Sequence, residues 1–250
     1  KVDYYNINIL KKNEFAKLKV NFDYVINSGG YGGFKKVNNI YKDINAQYTG
    51  LKNLAGFFKK KKIKKFIQLG TSLEYGSNAS PNDERMAAKN PLSDYGKSKL
   101  YATNYLLFLF KFFKFPVVIL RLYQVYGSEQ KGNRLIGYLI KSILKKKKIH
   151  VSHGEQIRDF LHISDFLDAI FLLIKNKKLS GQIINIGYGK GIKVKKVIKK
   201  ITNLFPDKKI KILLKKNNNK ETKILVPNIN KVKKLIKWKP KISLSTGLNQ

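Results

Sequence analysis

Tyr95 and Lys99 lie four residues apart in the segment PLSDYGKSKL, residues 91–100. On a helix that spacing puts both side chains on one face. An ammonium beside a phenol favours the phenolate. Such a phenol can take a proton from a substrate hydroxyl or return it. By itself the spacing is cheap in a chain with 14 tyrosines, and a solvated helix face explains it as well. The context is more specific. Upstream, GTSLEYG (residues 70–76) follows an apolar, strand-like run. Thr71 and Ser72 are therefore expected at the C-terminal edge of a strand, where open α/β sheets bind ligands. A hydroxyl there can bond the same substrate oxygen that Tyr95 deprotonates. Glu74 is expected to point to the other face of an extended segment.

The elements that must position these groups are legible as alternating patterns. Residues 23–27 (DYVIN), 66–70 (FIQLG), 117–123 (VVILRLY) and 183–187 (IINIG) read as strands. Residues 45–60 read as a helix with Leu51, Leu54, Phe57 and Phe58 on one face. A second helix is expected over residues 94–114, with Ser93 as its N-cap, and a third over residues 194–204. Apolar strands separated by helices of this size predict βαβ units and a parallel sheet covered on both faces. After about residue 127 the rhythm is less regular, which predicts a smaller lobe. The run KKNNNK at residues 215–220 reads as a surface loop.

Composition removes several classes of function. The 250 residues contain no cysteine, so a disulfide scaffold, a thiolate metal site and cysteine catalysis are excluded. The three histidines are His150, His153 and His162. The first two have HxxH spacing but no third ligand, so no metal site is expected and both are read as loop residues. The formal net charge is +37, which raises nucleic-acid binding as an alternative function. Its distribution argues against that. Only Arg85, Arg121, Arg134 and Arg158 are arginines, whereas base-edge readers lean on arginine forks. The excess lies in lysine runs such as residues 59–62 and 145–148. The most apolar stretch, residues 105–120, is interrupted by Lys111, Lys114 and Pro116, so no membrane span is expected. The cytoplasm is the expected location.

Taken in order along the chain, these segments resemble the extended short-chain dehydrogenase/reductases, the NAD-dependent epimerase/dehydratase family, which act mostly on nucleotide sugars. The resemblance rests on DYVINSGG, NAQYTGLKNL, FIQLGTSLEYG, YGKSK, LRLYQVYG, RDFLHISDFLDAI, INIGYGKGIKVKKVI and KWKPKISLSTGL. It implies an α/β fold: a Rossmann-like doubly wound parallel sheet with a smaller C-terminal α/β substrate lobe. Residues 1–127 would form the dinucleotide-binding part. Residues 128–250 would form mainly the substrate lobe, with some segments returning to the sheet. It implies NAD or NADP as cofactor and a nucleotide-diphosphate sugar as substrate. Thr71, Tyr95 and Lys99 would be catalytic: Tyr95 as base or acid, Lys99 bonding the nicotinamide ribose, and Thr71 orienting the sugar hydroxyl. Asn27, Gly29, Gly30 and Asn45 would approach the cofactor, small residues being needed where backbone meets ligand. Ser72, Gln124, Arg134 and Arg158 would contact substrate. Arg158 is the first choice for the diphosphate, because a guanidinium matches it bidentately. The competing reading of Arg158 is an ion pair with Asp159. Asp165 reads as a helix-start residue and His162 as structural. The helix of Tyr95 continues as YLLFLFKFF, and in this family it commonly packs in a dimer, so a homodimer is expected.

Three departures qualify the resemblance. The glycine-rich dinucleotide loop that opens the family is absent, and SGGYGG (residues 28–33) has the wrong spacing. The first βαβ unit, roughly 50 residues or more, is therefore expected to be missing. A catalytically inactive relic of the family is a second alternative. GYGKG (residues 187–191) lies too late for that loop and reads as a glycine turn. The family's 4,6-dehydratases carry Asp and Glu directly after the catalytic Thr; here Ser72 and Leu73 stand there. Leucine cannot shuttle protons, so epimerisation or 4-keto reduction is expected rather than elimination. Gln124 and Ser128 stand where the family often has Asn and Pro, which alters the substrate fit more than the reaction class.

Overall fold

The structure is a computed structural model that describes residues 2–30, 41, 44–88, 90–130, 134–214 and 222–250. Residues 31–33 of SGGYGG and the whole of KKNNNK lie outside the described residues. The chain divides into two compact units. Unit 1 comprises Lys1–Gly76, Ala87–Arg121 and Leu173–Ile184. Unit 2 comprises Ser77–Met86, Leu122–Leu172 and Asn185–Gln250.

Unit 1 is built on a four-stranded sheet of β1 (Tyr24–Asn27), β2 (Lys65–Thr71), β3 (Val117–Leu122) and β7 (Gln182–Ile186), hydrogen-bonded in that order. β1 and β2 are parallel, with Tyr24 opposite Lys65 and Asn27 opposite Gln68. Two helices supply the crossovers. Asn45–Thr49 forms a π-helical turn that runs into α1 (Gly50–Lys59), and α2 (Asp94–Phe113) links β2 to β3. α2 starts where the sequence predicts. The Ser93 hydroxyl accepts the Gly96 N–H at 3.1 Å and satisfies one of the orphan amides of a helix N-terminus. It ends at Lys114 in the left-handed conformation (φ 53°). The core of this unit joins Leu51, Ala55 and Phe58 of α1 to Phe66 of β2, Ala102, Leu106 and Leu109 of α2, and Val117 and Ile119 of β3. Each fully buried aliphatic or aromatic side chain of this kind contributes about 1.5–3 kcal/mol. β2 is buried on both faces, as expected of a strand covered by helices on both sides. Its first residue is nevertheless a buried lysine. The Lys65 ammonium donates to the carbonyls of Leu173, Ile174 and Asn176 at the end of a helix, where those groups lack intrahelical partners.

Unit 2 centres on β6 (Ile157–His162). It pairs in parallel with β4 (Gln124–Tyr126) and β10 (Ile224–Leu225), and antiparallel with β8 (Gly191–Lys193). A separate parallel pair joins β5 (Ile149–Val151) to β9 (Ile212–Leu214). Its helices are α3 (Leu135–Leu144), α4 (Ile163–Lys175, whose last turn belongs to unit 1), α5 (Val194–Asn203), α6 (Asn230–Ile236) and α7 (Leu244–Leu248). The core gathers Ile136, Leu139 and Ile143 of α3, Phe160 of β6, and Val197, Ile198 and Ile201 of α5. Among the described residues, no helix is long and apolar enough to cross a membrane.

Candidate active site

β2 ends at Thr71, and the chain turns at once into a single 3₁₀ turn, Ser72–Tyr75. Thr71 caps that turn. Its Oγ1 accepts the Leu73 N–H at 3.3 Å, which leaves the hydroxyl proton for donation. Ser72 is buried as the first residue of the turn. α2 begins against the same turn. A Cβ on Gly96 would lie 2.9 Å from the Leu73 carbonyl oxygen, so the glycine lets the helix start sit on the strand end. Tyr95 is the residue before it.

One turn further along α2, Lys99 points back to β2. Its Nζ donates to the Leu69 carbonyl at 2.9 Å, two residues before Thr71. It lies 5.9 Å from the centroid of the Tyr95 ring. Only 5% of Lys99 is exposed. Burial pushes its pKa down to about 8, with the charge of Glu74 pulling the other way. The helix and strand thus bring Thr71, Ser72, Tyr95 and Lys99 to one end of β2.

The end of β1 joins this arrangement through Asn27, which the sequence singles out, and through Gln68, which it does not. Asn27 is buried, and its Oδ1 accepts the Gly29 N–H at 3.1 Å. Its Nδ2 donates to Gln68 Oε1 at 2.8 Å. The Gln68 amide donates at 2.9 Å to the same Leu69 carbonyl that Lys99 uses. A hydrogen-bonded chain therefore runs from the turn after β1 to Lys99. Gly30 lies under the buried Gln47 side chain, whose amide a Cβ would meet at 2.5 Å. Asn45 is exposed and accepts from the Thr49 hydroxyl at 3.4 Å. Asn27 and Gln68 each stand out as a polar residue inside an apolar strand, but nothing in the sequence pairs them. Gln47 carried no such signal.

Glu74 does not follow the extended geometry expected of it. The 3₁₀ turn folds its carboxylate back, so that Oε1 accepts the Thr71 N–H at 2.8 Å. The assumption of an extended segment fails because Thr71 and Glu74 form a reciprocal cap.

The remaining candidates belong to unit 2. Gln124 is half-buried in β4, opposite Phe160. Arg134 is exposed at the N-cap position of α3. Arg158 is mostly buried in β6, with Nη1 donating to the carbonyls of Ile157 (2.9 Å) and Lys223 (3.3 Å). Its neighbour Asp159 turns elsewhere. The Asp159 carboxylate accepts the amides of Tyr188, Gly189 and Lys190 at 2.7–3.1 Å. This gives GYGKG its role as a turn wrapped around a buried acid, with Gly189 at φ 84°. Burial raises the Asp159 pKa to about 6 despite the three amides. Asp165 does more than start a helix. Its carboxylate accepts the amides of Lys241 and Ile242, and its carbonyl accepts the Trp238 indole N–H. His150 lies in β5 rather than in a loop. The His162 Nδ1 accepts the Ser164 amide.

The donor set at the end of β2 fits the ribose and nicotinamide end of a dinucleotide. It offers a buried ammonium and a neighbouring phenol.

Known proteins share this arrangement of sequence. The chain is 28% identical over 266 residues to a UDP-glucuronate 4-epimerase of Thermodesulfobacterium geofontis (strain OPF15), covering 99% of this chain and 81% of that protein. It is 31% identical over 214 residues to a dTDP-D-glucose 4,6-dehydratase of Dictyostelium discoideum, covering 78% of this chain and 47% of that one. The chain thus spans less than half the length of the second relative. A crystal structure of UDP-glucuronic acid 4-epimerase from Bacillus cereus, in complex with UDP-glucuronic acid and NAD, superposes with a TM-score of 0.86 at 27% identity. The match covers 97% of this chain and 78% of that one. The fold class read from the sequence, Rossmann-like α/β, is therefore the one observed. The model of one family matches residues 1–187, which include β1, β2 and both helices that carry the site. With that match spanning most of the sequence, the chain belongs to the NAD dependent epimerase/dehydratase family.

Proposed function

We propose that the protein is an NAD(P)-dependent nucleotide-sugar epimerase or 4-keto-reductase that acts by hydride transfer at a sugar carbon. The observation that carries this reading is the buried Lys99, tied to the C-terminal end of β2 with Tyr95 beside it on the same helix face. When bound, the nicotinamide supplies the hydride acceptor or donor. The chain's own residues do the rest. Lys99 holds positive charge beside the Tyr95 ring, which favours the phenolate. Tyr95 takes the proton of the sugar hydroxyl during oxidation, or gives one to the keto oxygen during reduction. Thr71 donates its hydroxyl proton to the same oxygen and fixes its direction. In an epimerase the keto sugar then presents its other face and accepts the hydride back. A reductase starts from the keto sugar.

Elimination of water is disfavoured, because Ser72 and Leu73 occupy the two positions after Thr71. Neither offers a carboxyl group to shuttle protons. Lys99, Tyr95, Asn27, Gly29, Gly30 and Asn45 are assigned to NAD or NADP, and unit 1 to dinucleotide binding. Ser72, Gln124, Arg134 and Arg158 are assigned to a nucleotide-diphosphate sugar, and the bulk of unit 2 to substrate binding. Arg158 has its Nη1 anchored on two carbonyls, which pre-orients the guanidinium plane for a diphosphate. A homodimer is supported by the exposed aromatic row Tyr101, Phe108 and Phe112 along α2.

The test is Tyr95→Phe, assayed on a panel of UDP-, dTDP- and GDP-sugars by sugar-product analysis and cofactor absorbance. Turnover is expected to vanish while nucleotide-sugar binding by calorimetry persists. Turnover that survives the substitution removes Tyr95 as the base.

A further inference from the structure

Glu74 is fully buried, and three elements of unit 1 converge on it. Its Oε1 accepts the Thr71 N–H at 2.8 Å at the end of β2. Its Oε2 accepts the Thr103 hydroxyl of α2 at 2.9 Å and Arg121 Nε of β3 at 3.1 Å. Thr103 stands one turn beyond Lys99 on α2, on the same face. One carboxylate therefore holds the backbone of Thr71 and registers the helix that carries Tyr95 and Lys99. Gly70 makes room for it, since a Cβ there would meet Glu74 Oε1 at 2.6 Å.

The charges are arranged as a set. Lys99 faces Tyr95 from its own helix and Glu74 from the turn. Glu74 faces Arg121 from β3, and the Arg121 guanidinium lies 4.3 Å from the centroid of the Tyr75 ring. Arg121 is 3% exposed, and its Nη1 has no hydrogen-bond partner among the described residues. The Glu74 carboxylate thus balances Arg121 and adds negative charge to the surroundings of Lys99.

We propose that Glu74 is a positioning residue: its carboxylate sets Thr71 in register with the helix of Tyr95 and Lys99, and it adds a negative charge to the surroundings of the buried Lys99. The proposal rests on the hydride-transfer reading above for its catalytic consequence, but its electrostatic half is independent of any cofactor. Burial already brings Lys99 down to about 8, and Glu74 opposes that fall. Converting the carboxylate to an amide removes the opposing anion, which pushes Lys99 further down, so it sheds its proton at a lower pH.

The experiment measures the titration midpoint of Lys99 by NMR of ¹⁵N-lysine-labelled full chain, with Lys99→Met to assign the signal. Wild type, Glu74→Asp, Glu74→Gln and the double variant Glu74→Gln/Arg121→Met are compared. In Glu74→Gln the midpoint is expected to fall by about one pH unit or more. In Glu74→Asp, which keeps the charge, it stays within a few tenths, while turnover falls because the shorter side chain no longer spans Thr71, Thr103 and Arg121. In the double variant, which also lacks the Glu74 charge, the midpoint is expected to stay as low as in Glu74→Gln. An unpaired Arg121 can unfold Glu74→Gln; the Asp and double variants then carry the comparison, with the double variant expected to fold. A Lys99 midpoint that is the same in every folded variant overturns the electrostatic role. Unchanged turnover in Glu74→Asp overturns the positioning role. If Tyr95→Phe remains active, the hydride-transfer reading fails by itself, and the Lys99 midpoints still decide what Glu74 does.

Discussion

Replacing Lys99 by methionine should abolish turnover and yet make the protein more stable at neutral pH. The magnitude follows from where the ammonium sits. Folding carries Lys99 from its ordinary pKa of 10.5 to about 8 because burial disfavours the charged form. At pH 7, holding the proton in the folded state then costs about 3 kcal/mol. Methionine has a similar volume and no charge. It loses the bond to the Leu69 carbonyl, worth about 1 kcal/mol net. That carbonyl is not orphaned, because the Gln68 amide also donates to it. The variant should therefore gain about 2 kcal/mol at pH 7. The pH dependence has a definite sign. Below about pH 8 both folded and unfolded wild type hold the proton, so the full penalty applies. Between about 8 and 10.5 the unfolded chain holds a proton that the folded one has shed, and wild type gains stability as pH rises. The advantage of Lys99→Met should shrink to nearly nothing by pH 10. Urea denaturation of both proteins at pH 7, 8.5 and 10 measures it. A variant less stable than wild type at pH 7, or an offset that does not change with pH, would refute the idea that Lys99 is a buried cation held at a cost to the fold.

The other expectations follow from single contacts. Gly96→Ala would ordinarily favour a helix by about 1 kcal/mol, but its Cβ would lie 2.9 Å from the Leu73 carbonyl. The helix start must shift, and Tyr95 with it, so turnover should fall about ten-fold or more while thermal stability changes little; wild-type turnover would show that the close approach has no catalytic consequence. Asp159→Ala strips three backbone amides of their acceptor, and should cost about 3 kcal/mol or more in thermal or urea unfolding. Because folded Asp159 titrates near 6 and not at 3.8, its protonated form adds stability that is complete below pH 3.8 and lost as pH rises through 6. The penalty of Asp159→Ala should therefore be larger at pH 4 than at pH 7, and the reverse order would remove burial as the dominant influence on that acid. Phe108→Asp with Phe112→Asp places charge on the exposed aromatic row of α2. Sedimentation velocity should show a dimer of the wild type becoming monomeric, whereas a monomeric wild type would end the dimer proposal.

What the sequence made legible and what it hid divide along a physical line. Strands β1, β2, β3 and β7 and helices α1, α2 and α5 fall within a few residues of their expected places, because each is a local pattern closed by local signals such as Ser93. Tyr95 and Lys99 were readable for the same reason, since four residues on a helix fix a shared face without tertiary information. The residues that set their chemistry were not readable. Gln68 reaches the Leu69 carbonyl from within an apolar strand, and Asn27 reaches Gln68 across 41 residues. Glu74 meets Thr103 and Arg121 across 29 and 47 residues. No periodicity announces a partner at those distances. In unit 2 the late strands are two or three residues long, too short to show an alternation, and β6 declares itself only through the three strands that pair with it.

The wrong expectation for Glu74 is the most instructive of these. Alternation predicts where a side chain points only while the backbone stays extended, and β2 stops being extended at Thr71. The same four residues that end the strand also form the cap, expose the Leu73 carbonyl to Gly96, and turn a carboxylate inward onto Thr103 and Arg121. A site at the end of a strand thus draws its electrostatics from the residues that terminate the strand. Those residues follow the rules of caps and turns rather than the rules of sheets. That is why GTSLEYG points to a site through its hydroxyls but conceals, three positions after Thr71, the group that we infer adds negative charge to the surroundings of Lys99.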